Sequence, residues 1–198
     1  MASLKGTQTH KNLMRAFAGE SQARNRYNLY EGIARKQGYP LVADVFKLTA
    51  DQERMHATIF FQHLAEEFNG EEIEIDAAYP VDLYQENTVK NIIASVNAEA
   101  HEHEEVYPAF AQTAKDEGFP QIATSFRLIG KIEETHRQRF AALAKEFEED
   151  TMFKRATPIA WECQVCGHIH FGVAAPTMCP VCKHPKGFFK ALQNSETK

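Results

Sequence analysis

The sequence predicts a mainly α protein: a four-helix bundle with a long crossover between its second and third helices, then a small metal-folded domain at the C-terminal end. Three observations carry that prediction. An internal repeat divides the first 150 residues into two halves, each half places apolar residues at helical spacing around a Gly-aromatic-Pro turn, and all four cysteines fall between Cys163 and Cys182. A chain of 198 residues has room for one domain and a small appendage, and 43% hydrophobic residues suffice for a core. The formal net charge of −5 provides no basic excess to neutralise a phosphate backbone or an anionic lipid surface, so nucleic acid is not an expected partner. No apolar run approaches the roughly 20 residues of a membrane span, and Met1–Asn12 has no apolar stretch. A cytoplasmic location is the expectation.

The helices follow in order. Leu13, Phe17, Glu20, Tyr27 and Ala34 share one face of the first, and Val42, Phe46, Thr49, Glu53, His56, Phe60 and Leu64 share one face of the second. The turn between them, Gln37-Gly38-Tyr39-Pro40, recurs as Glu117-Gly118-Phe119-Pro120, 80 residues on. Gly ends a helix readily and Pro is tolerated in a first turn, so each copy reads as a break between two antiparallel helices. An irregular stretch, Asn69–Asn87, follows the second helix and contains Gly70 and Tyr79-Pro80. A connection this long can run the length of a bundle, as in four-helix bundles of ferritin-like topology. Val89, Ile92, Val96 and Glu99 mark the third helix, and Ile122, Phe126, Ile129, Glu133, His136, Phe140 and Leu143 the fourth, which gives out near Glu148-Glu149-Asp150. Residues 151–160, with Thr157-Pro158, read as a linker, and 161–198 as a separate tail of roughly 35 residues, too small to be stabilised by apolar burial alone.

Glu53 and His56 repeat as Glu133 and His136, and Tyr27 as Tyr107, all at an offset of 80, whereas Glu20 repeats as Glu99 at 79. One extra residue therefore lies between Glu99 and Tyr107. A one-residue insertion that leaves a helix intact is accommodated as a π-bulge, which is predicted here.

Glu20, Glu53, Glu99 and Glu133 occupy positions whose helical neighbours are Phe, Ile and Val. An unpaired carboxylate in such a place costs several kcal/mol or takes up a proton, so four in one bundle call for a compensating cation. Each Glu-x-x-His motif puts a carboxylate and an imidazole one turn apart on the core face of its helix. One Glu from each of two helices plus one Glu-x-x-His from each of the other two is the arrangement of ferritin-like di-iron carboxylate proteins. Each His supplies one neutral nitrogen, and oxygen-rich ligation of this kind suits iron or manganese, unlike a zinc-thiolate site. Glu102, three residues after Glu99 and beside the predicted bulge, is a fifth candidate. Tyr27 and Tyr107 fit either core tyrosines or hydrogen-bond donors beside the centre, and their matched placement points to donors. His10, His63, His101, His103, His168, His170 and His184 have no such correspondence and read as surface or structural.

Cys163, Cys166, Cys179 and Cys182 form C-x₂-C-x₁₂-C-x₂-C. Two short knuckles can present four thiolates tetrahedrally, and metal binding then supplies the folding energy so small a unit lacks. Spacing leaves structural zinc and redox-active iron both open. A bundle carrying out iron redox chemistry needs electrons delivered to it, which favours iron.

The run Ala16-Phe17-Ala18-Gly19-Glu20-Ser21-Gln22-Ala23-Arg24-Asn25-Arg26-Tyr27, Asp51-Gln52-Glu53-Arg54-x-His56, Glu99-x-x-Glu102 with Tyr107-Pro108, Glu133-x-x-His136 and the cysteine tail together resemble the rubrerythrin family over essentially the whole chain. The resemblance implies a non-haem di-iron peroxidase that reduces hydrogen peroxide to water in oxidative-stress defence. In it a rubredoxin-type single iron relays electrons from an NAD(P)H-dependent donor, a reductase or a rubredoxin. It implies Glu20, Glu53, His56, Glu99, Glu102, Glu133 and His136 as di-iron ligands, exchange of Glu102 for His56 at one iron on reduction, and Tyr27 and Tyr107 as neighbours of the centre. Cys163, Cys166, Cys179 and Cys182 would bind the single iron, and the chain would work as a homodimer or higher homo-oligomer. His168 departs from the aromatic residue common after Cys-Gly in rubredoxin-like units. Three other readings compete: ferroxidase activity with iron storage, a di-iron oxidase, and a binding module whose tail holds structural zinc.

Overall fold

Four helical rods and a three-stranded sheet form in the expected order in a computed structural model that describes residues 3–192. Residues 1–2 of the expected bundle domain and 193–198 of the expected tail domain lie outside the described residues. The first two rods are α1 (Gln8–Lys36) and α2 (Pro40–Phe68). The third is α3 (Thr88–His101) continued through a π-helical turn, Glu102–Val106, into α4 (Tyr107–Asp116), and the fourth is α5 (Pro120–Glu148). The π turn is the predicted bulge: the Tyr107 N–H reaches back five residues to the Glu102 carbonyl. It absorbs the extra residue, so Tyr107 faces inward as Tyr27 does, and Pro108 falls just after it, where a missing N–H costs least. On the facing rod Gly130 lets α5 approach, since a Cβ there would lie 3.0 Å from Tyr107 Cβ.

The repeat is a structural symmetry. Both turns close alike, Tyr39 N–H bonding Ala34 O at 2.9 Å and Phe119 N–H bonding Ala114 O at 2.8 Å, with Gly38 and Gly118 left-handed at φ +83° and +88°. Each turn also caps the opposite half. Glu117 accepts from Gln8 N, Thr9 N and Thr9 Oγ1 at 2.6–2.9 Å, while its counterpart Gln37 accepts from Thr88 N and Oγ1 at 2.8 and 2.6 Å. The crossover, 69–87, is held along α1 by Arg15 Nε on Asp76 O (2.9 Å), Tyr79 OH on Arg15 O (2.7 Å) and an Arg26–Asp82 ion pair (2.7 Å).

Two aromatic layers fill the bundle. Leu13, Phe60, Leu64, Tyr107 and Phe126 belong to one, Tyr27, Phe46, Ile92 and Phe140 to the other. Glu53 stands seven residues from both Phe46 and Phe60, and Glu133 seven from both Phe126 and Phe140, so the carboxylates form a polar layer between two dry ones.

In the tail, β1 (Lys154–Cys163), β2 (Ile169–Ala174) and β3 (Phe189–Ala191) form an antiparallel sheet in the order β2-β1-β3. This corrects the expected linker: most of 151–160 is already strand. Its Thr157-Pro158 lies where the β1–β2 register shifts, between Lys154 and Ile159, a position at which a ladder tolerates Pro. Trp161 is fully buried with Nε1 on Gly172 O at 2.9 Å. The tail rests against the α1–α2 turn and the end of α5. Phe153 stacks on Tyr39, Arg155 pairs with Glu146 at 3.1 Å, and a Cβ at Gly187 would collide with the Gly38 carbonyl.

Candidate metal centre

The four rods bring six buried side chains to one point: Glu20 from α1, Glu53 and His56 from α2, Glu99 from α3, Glu133 and His136 from α5. They form two donor groups, Glu20–Glu53–His56–Glu133 and Glu53–Glu99–Glu133–His136, the donor atoms in each lying within 4.8 Å of one another. Glu53 and Glu133 belong to both. His56 Nδ1 is 2.9 Å from Glu53 Oε2, 3.1 Å from Glu133 Oε1 and 3.7 Å from Glu20 Oε2. His136 Nδ1 is 2.8 Å from Glu133 Oε2, 3.1 Å from Glu53 Oε1 and 3.6 Å from Glu99 Oε2. Each shared carboxylate thus turns one oxygen to each group, the geometry of a bridge between two cations, and each half of the repeat supplies one terminal Glu and one imidazole.

The donor set fits metal ions. Among the described residues nine buried polar side-chain atoms lack a hydrogen-bond partner, and eight of them are Glu20 Oε2, Glu99 Oε2, both oxygens of Glu53 and Glu133, and the Nδ1 atoms of His56 and His136. Orphans this concentrated are the donor atoms that bound cations would satisfy. Electrostatics agree. Burial, then the Glu133 and Glu53 charges, push Glu20 well above the usual carboxylate range, and burial followed by Glu53 raises Glu99. Burial works against the charged forms of His56 and His136, yet the carboxylates around them raise both. Protons answering these shifts would crowd onto the atoms that face one another, whereas divalent cations neutralise them all at once.

Tyr27 and Tyr107 are donors, but across the repeat: Tyr27 OH donates to Glu99 Oε1 and Tyr107 OH to Glu20 Oε1. Each occupies the outer oxygen of a terminal carboxylate and leaves the inner one free. Gln52, which the sequence reading passed over, accepts from His136 Nε2 at 3.1 Å and is itself held by Arg139 Nη1 at 2.9 Å. Its one visible signal was its place beside Glu53. Glu102 stands outside both groups; burial, then the Glu20 and Glu99 charges, keep its carboxyl well above the usual range. Of the remaining histidines, His10, His63 and His103 make structural contacts with Leu4 O, Ser125 Oγ and Gly130 O.

The four cysteines also converge, with all sulfurs within 4.8 Å and the pairs Cys163–Cys182 and Cys166–Cys179 at 3.6 Å. A tetrahedral metal with bonds of about 2.3 Å sets sulfurs roughly 3.8 Å apart, so the cage suits one ion. The knuckles are copies: Cys163 N–H bonds His168 O and Cys179 N–H bonds His184 O, both at 2.8 Å, and Gly167 and Lys183 are left-handed at φ +72° and +63°. His168 therefore has a counterpart in His184.

Comparison with known proteins places both units. The rubrerythrin family model matches residues 11–144, and that of the rubrerythrin rubredoxin-like domain matches residues 161–190. Rubrerythrin-1 of Clostridium acetobutylicum is 47% identical over 98% of this chain and 100% of its own length. Rubrerythrin of Nitratidesulfovibrio vulgaris is 46% identical over 97% and 98%. Among solved structures, fully reduced, all-ferrous nigerythrin superposes with a TM-score of 0.63 at 30% identity, covering 96% of this chain and 89% of its own. Desulfovibrio desulfuricans bacterioferritin has a TM-score of 0.65 at 21% identity over 73% and 82%, a likeness of fold alone.

Proposed function

The chain belongs to the rubrerythrin family, and from that premise we propose that it is a non-haem di-iron peroxidase reducing hydrogen peroxide to water, its electrons relayed through a single iron in the cysteine tail. The observation that carries this reading is the pair of donor groups sharing Glu53 and Glu133, in one chain with a four-thiolate cage. Iron held by the two donor groups would supply the two electrons that peroxide reduction needs, and iron held by Cys163, Cys166, Cys179 and Cys182 would supply their replacement.

The residues do the rest. Glu53 and Glu133 hold the two ions close together. Glu20 with His56, and Glu99 with His136, complete their sides, and Tyr27 and Tyr107 keep the terminal carboxylates aimed. Gln52 fixes the His136 ring, whereas His56 has no such anchor on its outer nitrogen among the described residues. His56 is thereby the ligand able to leave, and Glu102, facing Glu20, is the carboxylate able to replace it. Anionic Glu102 would suit the more highly charged oxidised centre, and the neutral imidazole of His56 the reduced one. Electrons arrive from an NAD(P)H-dependent reductase or a rubredoxin.

Within one chain the tail sits at the α1–α2 turn, and Glu53 lies 13 residues along α2 from Pro40, about 20 Å of helix. That separation supports a homodimer in which one subunit's tail serves the other's bundle. Mixing anaerobically reduced, iron-loaded protein with peroxide should restore the ferric absorbance of the tail faster than oxygen does. A faster response to oxygen would make the protein an oxidase, and sedimentation as a large hollow cage would make it an iron store.

A further inference from the structure

The crossover does more than connect. Its segment 77–80 roofs a partly enclosed cavity of about 230 Å³ above α1 and the π turn. Most of the wall is hydrocarbon, from Ala16, Ala78, Pro80, Ala98, Val106 and Phe110, and the inner end reaches Glu102 and Tyr107, the carboxylate and the tyrosine next to Glu20. Small residues create the room: a Cβ added at Gly19 would come within 3.5 Å of the Tyr79 ring. A cavity of about 150 Å³ lined by aliphatic side chains holds benzene, so this one is far larger than hydrogen peroxide, which is little bigger than water, requires. Away from that inner end the polar side chains Arg15, Gln22, Arg26 and His101 also reach the wall, and only Arg26 among them has a buried side-chain atom without a partner. Arg26 gives Nη1 to Asp82 at 2.7 Å, while its buried Nε, the ninth of the unpartnered atoms, has no acceptor. A largely apolar chamber with a buried, unpartnered donor and a carboxylate at its inner end matches a molecule with a hydrocarbon body and a polar, oxygen-bearing head.

We propose that this cavity binds organic hydroperoxides with a short alkyl or single-ring aryl group, giving the protein an alkyl hydroperoxide reductase activity that rests on, and extends, the peroxidase reading above. The hydrocarbon packs under the crossover, and the hydroperoxide head lies between Arg26 Nε–H and Glu102. The RO–OH bond breaks, two electrons enter from the ferrous pair, one from each ion, two protons are taken up, and the products are the alcohol and one water. The donor system that serves hydrogen peroxide restores the electrons. Long-chain lipid hydroperoxides exceed the volume.

The test uses the full chain in two forms. Iron-loaded protein is assayed with cumene hydroperoxide and with hydrogen peroxide, and metal-free protein is titrated with cumyl alcohol by calorimetry. Ala78→Phe fills the cavity from the exposed roof and Ala98→Leu from the opposite wall, and neither residue belongs to the metal centre. Wild type should reduce both peroxides and bind cumyl alcohol. Both variants should lose about tenfold or more in kcat/KM for cumene hydroperoxide and in cumyl alcohol affinity, while hydrogen peroxide turnover stays within about twofold. Protein that turns over hydrogen peroxide but not cumene hydroperoxide overturns the proposal and leaves the peroxidase reading intact. So do variants whose two peroxide rates fall together or whose cumyl alcohol affinity is unchanged. Failure with both peroxides overturns both readings.

Discussion

Tyr27 and Tyr107 illustrate how single residues set this centre. Each donates to the terminal carboxylate of the opposite half, so removing one hydroxyl leaves a buried carboxylate oxygen without its donor while the aromatic packing persists. Tyr107→Phe should weaken the Glu20–His56 ion and Tyr27→Phe the Glu99–His136 ion, each by about 10–100-fold in affinity. Competition titration with a chelator of known affinity measures this, and unchanged affinity in both variants would mean the tyrosines only fill space. Pairing across the repeat could not be read from spacing, since Glu20 and Tyr27 lie on one helix and their partners on another. Gln52 escaped notice for a related reason: its contact with His136 spans 84 residues and leaves no periodic trace.

Two elements depart from regular helix geometry to useful effect. With Glu104 deleted from the π turn, α3 and α4 would continue as one regular helix with the tyrosine seven residues after Glu99, the spacing found in α1. Folding and two-ion binding should survive, because Tyr107 keeps its face. Oxidation by peroxide should slow on the order of 10²-fold, because Glu102, whose place in α1 is taken by Ala23, is no longer aimed by the bulge. Stopped-flow absorbance of the iron-loaded variant checks this; loss of the bundle ions instead would give the bulge a purely structural role. At the helix ends, burial favours the neutral form of Glu117, but donors from Thr9 and Gln8 outweigh it and hold its pKa below the usual 4.5. A carboxylate lowered on folding stabilises above its unfolded pKa and loses that contribution as pH falls through the lowered value. Glu117→Gln, which copies the natural Gln37 cap, should cost about 0.3–1 kcal/mol at pH 7 and nothing well below pH 4, as followed by thermal melts across that range.

At the scale of the whole molecule, charge and length divide between two metal sites. The five candidate ligand glutamates match in number the formal net charge of −5, which is therefore concentrated at the core of the bundle and not spread over its surface. Chelating the metals should destabilise the protein in two steps. The tail, whose small core is Trp161, Cys163, Ala175, Cys179 and Phe189, should unfold first, and the bundle should melt at lower temperature, losing about 4 kcal/mol where iron stood at a thousandfold over its dissociation constant. A bundle melt unmoved by chelation would mean that its carboxylates are neutralised by protons. Among the described residues no helix is long and apolar enough to cross a membrane.

The sequence by itself determined the four rods, the crossover, the bulge, the six buried carboxylate and imidazole side chains that converge, and the grouping of the four cysteines. These follow from periodicity, from a repeat whose offset changes by one residue, and from the cost of burying charge, all of them legible along one helix at a time. Tertiary structure decided the rest: which tyrosine serves which glutamate, that His56 stands in the cluster while Glu102 stands outside it, that most of the expected linker is strand, and that the crossover encloses a cavity. Each of these depends on how surfaces far apart in the chain meet, and contact between antiparallel rods leaves no period in the sequence to read.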